Sequence, residues 1–440
     1  MKTSKKSLKL LSEGISLSVV AAVTKVLDLL RGSIFLKVFS PSEYGLIDIV
    51  NQIISLSKYT DIGLLNNVQR EYNVDVLSDK VKAEKNKEVA FGADIIISII
   101  TALTIIIIAL TINKSDVVKT GIIFGALAFL ASKGAKMIKL EMMINKKFKI
   151  LSKVNLFTNI TLNIAIISSV VALGIYSPLV LKPLILVSLF FLLYYFYPFK
   201  ISFSLGNAIN QIKYGFLFSG ISILGGFWIL FERFVITHYF TLEELGLFAG
   251  CLFVIKVITS ILDELVKPIA IRVRESLISN DKSIIIRYVI YPSLLFYFIS
   301  LGLVYFSQVI IFWLEQELLQ KFKGFGDVFS TLSWLIPIYC VGSFSGYLLL
   351  SKGIDRFYGA YLVYFFRFTI LCCLCYFFTP KNFSYLLLYY LFTEYVFFYS
   401  KQFLIYSKIF SIKKALLLIL FFASHYILIC NNEKVQHILF

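Results

Sequence analysis

Residues 91–112 read FGADIIISIITALTIIIIALTI. An α-helix rises about 1.5 Å per residue, so a helix of this length would cross the roughly 30 Å of hydrocarbon in a bilayer. The stretches Leu179–Pro198 and Ser384–Tyr406 have similar length and are also predominantly apolar. Lipid offers no partner to an open strand edge, so we expect all three stretches to be transmembrane helices.

The composition of the whole chain points the same way. Of its 440 residues, 58% are apolar and 16% are charged, and the mean hydropathy is +0.83, more than a soluble core needs. The net charge of +17 would indicate nucleic acid in a soluble protein, but here the basic residues lie in short segments between apolar runs. Six cysteines in apolar surroundings and three histidines predict no metal site and no disulfide.

Hydropathy and helix breakers predict an all-α, polytopic membrane protein of about 12 transmembrane helices. The expected spans lie near 11–38, 44–69, 89–112, 117–142, 152–176, 179–198, 214–237, 244–270, 288–313, 328–350, 358–379 and 384–406. No signal-peptide cleavage pattern follows the basic N-terminus, so the first span is read as an uncleaved helix. The apolar run Ala415–Cys430 is short for a span and is either a thirteenth helix or, as we favour, an interfacial one.

Basic residues predict the orientation of these spans. If the N-terminus is cytoplasmic, most lysines and arginines between spans fall on the cytoplasmic side, including Lys80, Lys82, Lys85 and Lys87. The opposite segments hold only Lys37, Lys114, Lys119, Lys182, Lys321, Lys323 and Lys381. We therefore predict a multi-pass protein of a bacterial cytoplasmic membrane with its N-terminus in the cytoplasm.

An internal repeat divides the chain into halves. Phe39, Glu43, Gly45, Leu46 and Ile54 recur about 201 positions later as Phe240, Glu244, Gly246, Leu247 and Ile255. Six helices per half is an even number, so the halves should be parallel repeats with a site at their interface. The predicted organisation is an N-terminal lobe at 1–198, a cytoplasmic linker at 199–213, a C-terminal lobe at 214–407, and a basic segment with an apolar tail helix at 408–440.

Short motifs in both halves carry a family resemblance. Ser40-Pro-Ser-Glu-Tyr-Gly-Leu, Asp61-Ile-Gly-Leu-Leu and Gln69-Arg70 resemble the opening helices of Wzx-type polysaccharide flippases, which belong to the MATE-like exporter superfamily. In the second half, Glu232-Arg233, Glu244-Leu-Gly-Leu-Phe and Lys267-Pro268 with Arg272 resemble the family's helices seven and eight. The resemblance implies two six-helix lobes around a central cavity that opens alternately to either face. It also implies an undecaprenyl-diphosphate-linked oligosaccharide as substrate, with a surface-polysaccharide polymerase complex as a further partner.

Ionisable residues inside a bilayer are costly, so they indicate where function lies. The candidate substrate-binding residues are Lys25, Arg31, Asp48, Gln52, Arg233, Lys256 and Arg367, because guanidinium and ammonium groups suit a diphosphate. The candidates for a coupling proton or sodium ion are Asp28, Asp61 and Glu394, with Asp94 also considered, and no other cofactor is predicted. The alternative for each is an ion pair, such as Lys25 with Asp28, or a side chain that reaches the membrane surface. Lys133, Lys136 and Lys139 suit either anionic lipid or substrate.

A transporter of lipid-linked oligosaccharide is the leading hypothesis, and two others compete with it. A multidrug exporter of the same fold is less favoured, since a cationic drug would prefer an acidic cavity to a basic one. A membrane polymerase or transferase would need an exposed loop with acid, base or metal-binding groups. The longest outward segment, Leu314–Asp327, has only Glu315, Glu317 and Asp327 as acids. We therefore predict a transporter without catalytic residues.

Overall fold

A computed structural model describes residues 23–60, 62–65, 67–68, 72, 76, 79–145, 147–278, 287, 290–317, 319–342 and 357–407. Within these residues every regular element is a helix. In chain order they are α1 (23–38), α2 (Pro41–Ser55), α3 (Lys80–Thr111), α4 (Asp116–Ile144), α5 (Phe148–Leu173), α6 (Lys182–Phe196), α7 (Leu205–Tyr239), α8 (Leu242–Ile278), α9 (Tyr291–Glu317), α10 (Phe325–Leu332), α11 (Phe357–Phe377) and α12 (Phe383–Ser407).

The prediction of an all-α, polytopic membrane protein is confirmed. Each of the twelve expected spans overlaps one of the described helices. Five segments of the described chain are long and apolar enough to cross a membrane: Lys80–Thr111, Asp116–Ile144, Phe148–Leu173, Ser177–Phe196 and Tyr291–Gln316. Helix α10 and the helix Leu335–Gly342 meet at a 43° bend and count as a sixth when taken as one broken span. The predicted tail helix at 415–430 lies outside the described residues.

The second predicted span, 44–69, is not one continuous helix. Helix α2 ends at Ser55 and continues as a single 3-10 turn, Leu56–Lys58. The Ser55 hydroxyl donates to the Gln52 backbone carbonyl (2.8 Å), and such back-bonding competes with helix continuation. Ile62 and Gly63 then have φ angles of 45° and 88°. Positive φ is incompatible with an α-helix of L-residues, so the chain must turn here.

Local chemistry fixes several other helix ends. At the start of α8, the Glu244 carboxylate accepts from the Thr241 backbone N–H (3.1 Å), while the Thr241 hydroxyl accepts from the Glu243 N–H (3.2 Å), as in a capping box. The same Ser/Thr-x-x-Glu spacing precedes α2 at Ser40 and Glu43. The two copies of the predicted repeat therefore both fall at helix starts.

The segment between α9 and α10, which is predicted to face outward, is held by one of its own acids. The Glu315 carboxylate accepts backbone N–H groups from Gly324 (2.7 Å) and Gly326 (2.8 Å), at the start of α10. Gly324 has a φ of 81°, which favours glycine. Glu315 thus accepts hydrogen bonds from backbone N–H groups that have no partner within α10. The sequence predicted this acid in a loop, and the structure shows that it stabilises a helix N-terminus.

The chain divides into two compact units, Met1–Phe39 with Glu43–Leu230, and Ser40–Ser42 with Phe231–Phe440. In the first unit, α4 packs against both α3 and α6, and Phe91, Met137 and Leu140 lie in its core. In the second unit, α10 packs against α8, α9 and α12, with Trp334 fully buried just beyond α10. Residues 205–213 of the predicted linker form the first turns of α7. The lobes at 1–198 and 214–407 stay a prediction.

Candidate functional site

The first unit contains a polar cluster that joins α1 to α5. The Arg31 guanidinium on α1 pairs with Asp28 (3.1 Å) and donates to the side-chain oxygen of Asn163 on α5 (2.9 Å). Asn163 is 1% exposed, and its amide nitrogen lies 3.4 Å from Asp28 Oδ1. A neutral amide therefore holds the guanidinium on one side, while the Arg31 side chain keeps 22% of its surface exposed. Arg31 is oriented but still open to a ligand.

A second cation stands near this cluster. Lys182, the first residue of α6, donates from Nζ to the side-chain oxygen of Asn51 on α2. Arg31 and Lys58 repel the charge of Lys182, and Asp28 attracts it. The positive groups of α1, α6 and the turn after α2 thus lie close enough to act on one another.

Helix α2 contributes a polar face to the same unit. The Gln52 amide donates to Asp48 Oδ1 one turn earlier (3.0 Å), and the Ser55 hydroxyl lies 3.3 Å from the Gln52 side-chain oxygen. Asp48, Gln52 and Ser55 therefore form a connected set of side chains on one face of α2. Such a set offers both donors and acceptors, which sugar hydroxyls can use.

Buried charges in the second unit are arranged as pairs. Arg367 on α11 pairs with Glu394 on α12, and these residues are 8% and 1% exposed. The Arg367 guanidinium also lies 4.2 Å from the centre of the Phe397 ring, a cation–π distance. Arg233 on α7 pairs with the adjacent Glu232 and lies 5.6 Å from the Phe248 ring. Arg233 and Arg367 therefore each have a carboxylate neighbour that offsets the cost of desolvation.

The structure brings some predicted site residues together and separates others. In the first unit it joins Arg31 to Asp28 and Asp48 to Gln52, and in the second it joins Arg367 to Glu394. Lys25 is half-buried on α1, and Lys256 is exposed on α8. Asp61 lies outside the described residues. The assignment of these residues to substrate or to a coupling ion stays a prediction.

Four residues of the first-unit cluster were not among the predicted site residues: Asn51, Lys58, Asn163 and Lys182. The charge of Lys182 is counted above with the outer segments, but the residue lies within the predicted span 179–198, and in the structure it lies within the candidate span Ser177–Phe196. Asn163 is the last of four polar residues within residues 158–163, after Thr158, Asn159 and Thr161, in an otherwise apolar predicted span, a signal that the sequence did contain. Its partner Arg31 is 132 positions away, which no local pattern reveals.

Two further basic residues form ion pairs with acidic side chains instead of contacting lipid headgroups. Lys133 on α4 and Asp94 on α3 form an ion pair of 2.8 Å, with side chains 2% and 0% exposed. Lys87 on α3 bridges Glu84 (2.6 Å) and Glu141 (3.0 Å). Neither lysine is available at the membrane surface as an anchor. Among the described residues, no group of three or more His, Cys, Asp or Glu side chains is placed to hold a metal ion.

At the cytoplasmic end predicted for this unit, Tyr72 donates to the Glu84 carboxylate. Burial, followed by this hydrogen bond and the charge of Glu84, raises the pKa of the Tyr72 hydroxyl above its usual value. The phenol therefore stays a neutral donor to a carboxylate that also binds Lys87.

A family model described as polysaccharide biosynthesis protein matches residues 35–314, more than half of the chain. The chain belongs to the polysaccharide biosynthesis protein family. The match includes α2 to α8 and most of α9, and with them Asn51, Asn163 and Lys182. No curated protein matches this member of the family in sequence.

Solved structures show the fold that this family member shares. The lipid II flippase MurJ in an inward closed conformation is 15% identical, covers 97% of this chain and 96% of its own, and gives a TM-score of 0.67. An inward-facing multidrug resistance transporter of the MATE family, in the MOP superfamily, is 14% identical over 89% of this chain and 96% of its own, with a TM-score of 0.62. A MATE protein in complex with MaL6 is 12% identical over 91% and 95%, with a TM-score of 0.56. The resemblance to a MATE-like fold is confirmed.

Proposed function

We propose that this protein is a flippase for an undecaprenyl-diphosphate-linked oligosaccharide repeat unit. It would move that lipid from the cytoplasmic to the outer face of a bacterial cytoplasmic membrane, for the synthesis of a surface polysaccharide. Membership of the polysaccharide biosynthesis family supports the substrate class, and a fold shared with a lipid II flippase supports the transport step. The observation that carries the proposal is Arg31, a guanidinium oriented by a buried neutral amide inside the first unit.

The chemistry of the headgroup explains why such an arginine is useful. A guanidinium presents a planar fork of donors that matches phosphate oxygens, and a partly desolvated site strengthens the attraction. Asn163 occupies one edge of the fork without neutralising it, since an amide carries no charge. Asp28 lowers the desolvation free energy of the Arg31 guanidinium while no substrate is bound.

The remaining predicted residues take complementary roles in this proposal. Asp48 and Gln52 would bind sugar hydroxyls, and the cations would contact the diphosphate as access alternates: Lys25, Arg31, Arg233, Lys256 and Arg367. A proton or sodium ion would couple at Asp28, Asp61 or Glu394. We place the N-terminus in the cytoplasm and expect the flippase to deliver its product to a polysaccharide polymerase.

A multidrug exporter is the second candidate, because transporters of the MATE family share the fold. The groups that act on Lys182 are mostly positive, so they would repel the cationic drugs that such an exporter removes. A polymerase or transferase is less well supported. In the segment Leu314–Asp327, which is predicted to face outward, the Glu315 carboxylate already accepts two backbone N–H groups at the start of α10.

The test is the fate of lipid-linked intermediates in cells. Deletion of the gene should cause an undecaprenyl-diphosphate-linked oligosaccharide to accumulate at the cytoplasmic face, measured by mass spectrometry with a probe of sidedness. A normal distribution of these lipids, or altered drug resistance without a lipid phenotype, would reject the proposal.

Arg31 variants then test the proposed contact. Arg31→Lys should keep partial transport, since the charge remains while the fork is lost, and Arg31→Ala should abolish transport at normal protein abundance. Lys37→Ala, which removes an exposed cation from the same helix, is the matched control and should transport normally. If Arg31→Ala with Asp28→Ala restores transport, Arg31 serves only as an ion-pair partner and leaves the proposed site.

A further inference from the structure

The chain after α2 contains a strained turn. Ile62 has a φ of 45°, in the left-handed region that a β-branched side chain rarely adopts, and Gly63 follows with a φ of 88°. A non-glycine residue in this region costs about 1–3 kcal/mol, and it persists only where the surrounding structure fixes it. Such residues cluster at ligand clamps and switch regions, so this turn is a candidate hinge.

The chain beyond the turn is firmly fixed. Leu64, Leu65 and Val68 are buried, and they lie in a hydrophobic core of the first unit together with Phe91 and Met137. A core packed to ordinary protein density resists displacement of its side chains, because any shift opens voids on one side and causes overlaps on the other. The segment after the turn is therefore a fixed base.

Helix α2, before the turn, packs on a smoother surface. Val50 lies over two glycines of α4, where a Cβ on Gly121 would be 3.2 Å from the Val50 side chain and a Cβ on Gly125 would be 3.3 Å from it. Helices interlock through ridges of side chains, and glycine contributes no side chain to a ridge. Helix α2 can therefore shift on α4 more easily than the segment beyond the turn, and it would carry Asp48 and Gln52 with it.

Tyr59 connects the end of α2 to α7. Its side chain lies against Gly226, where a Cβ would come closer than 3.0 Å to the ring and would be 2.8 Å from the Tyr59 Cβ. The Tyr59 Cβ is fixed to its own backbone, so no rotation of the side chain would make room, and glycine is required here. The residues of α7 up to Leu230 belong to the first unit, and the rest of the helix belongs to the second. A tilt of α7 would therefore displace Tyr59.

We infer that Tyr59 and Gly226 form a catch through which α7 moves α2 about a hinge at Ile62–Gly63, and that this movement reorients the polar face of α2 during transport. The inference rests on the proposed function, since it assigns the movement of the face proposed to bind sugar. The catch stays closed through the cycle, because α7 can move α2 only while the two residues remain in contact. Helix α2 has 15 residues, so a rotation of about 10° would move its far end by about 4 Å.

The first experiment compares transport with binding in the intact protein. Full-length protein in liposomes is supplied with a fluorescent farnesyl-diphosphate-linked hexose, and a quencher that does not cross the membrane reports the outer fraction of this probe. Tyr59→Ala should lower the transport rate about tenfold while the affinity for the probe changes by less than about twofold, as expected for a contact that couples two elements. Tyr59→Phe keeps the ring and should transport normally. Tyr195→Ala, which removes an exposed ring from α6, is the matched control and should also transport normally.

A disulfide provides a second test, which decides the matter even if Tyr59→Ala folds poorly. In the variant Tyr59→Cys with Gly226→Cys, the two Cβ atoms start about 1 Å closer than a disulfide needs, so a small relaxation allows the bond. The reduced variant lacks the ring and should transport as slowly as Tyr59→Ala. Oxidation should restore most of the native rate, because the covalent bond replaces the catch. Neither single-cysteine variant should respond to the oxidant.

The outcomes separate this inference from the proposed function. If the native protein moves the probe and Tyr59→Ala moves it at the same rate, the catch is rejected and the flippase proposal stands. Oxidation that blocks the double-cysteine variant would reject the catch as well, since the contact would then have to open during transport. If the native protein does not move the probe and deletion of the gene leaves the lipid intermediates unchanged, the proposed function itself fails.

Discussion

The buried pair between Lys133 and Asp94 allows a quantitative test of how the first unit is held together. Its charged atoms are 2.8 Å apart, and its side chains are 2% and 0% exposed, so the two charges compensate each other away from water. Removing one partner of a buried pair typically costs about 3–5 kcal/mol, because the remaining charge stays desolvated. Lys133→Met and Asp94→Asn remove one charge each at similar volume. Each should therefore lower the stability of the unit by about 3 kcal/mol.

The double variant distinguishes this pairing from simple loss of packing. With both charges gone, the desolvation penalty disappears, so Lys133→Met with Asp94→Asn should recover at least half of the loss. Thermal unfolding of the full chain in lipid would report the change, at roughly 2–4 °C per kcal/mol for a unit of about this size. Lys149→Met, which removes an exposed lysine from α5, should shift Tm by no more than about 1 °C. Additive single effects, or a stable Lys133→Met, would refute the reasoning.

Two other predictions follow from close contacts in the same unit. Gly92→Ala should lower Tm, because a Cβ there would come within 3.0 Å of the Ser202 backbone oxygen. Gly206→Ala on α7 is the control, since its Cβ would meet nothing within 4 Å, and it should leave Tm unchanged or raise it slightly. Equal shifts of Tm for the two variants would contradict this prediction. Lys87→Gln should lower Tm while leaving orientation intact, because Lys87 bridges two carboxylates. Replacing the exposed lysines Lys80, Lys82 and Lys85 together by glutamine should have the opposite effect. Tm should stay unchanged, while cysteine labelling should find fewer molecules in the correct orientation.

Lys87 illustrates a difference that the sequence does not reveal. In the sequence it is the fourth of four lysines at alternating or near-alternating positions, and all four fit a topology signal. In the structure the first three are exposed and the fourth is 5% exposed, because the helix turns it towards Glu141 on α4. Topology is determined by charge and position along the chain, whereas the partner of a charge is determined by which helices pack together.

The sequence by itself determined the class of the protein and the places of its helices. Hydropathy acts locally, since about 20 consecutive apolar residues suffice to favour a transmembrane helix whatever surrounds them. The repeat and the capping motif at Thr241 are also local, and so they were readable in the sequence.

Only the tertiary structure decided which charges meet. Arg31 donates to Asn163, which is 132 positions away in the sequence, and Lys182 donates to Asn51, which is 131 positions away. At such separations the spacing of residues in the sequence does not indicate their distance in space. Residues Ser177–Leu181, directly before Lys182, form a turn of π-helix, which adds a rotation that the ordinary helical period would not include. Because burial makes the free energy of a charge depend on its neighbours, the partners of Arg31 and Lys182 follow from which helices pack together, and local sequence does not determine them.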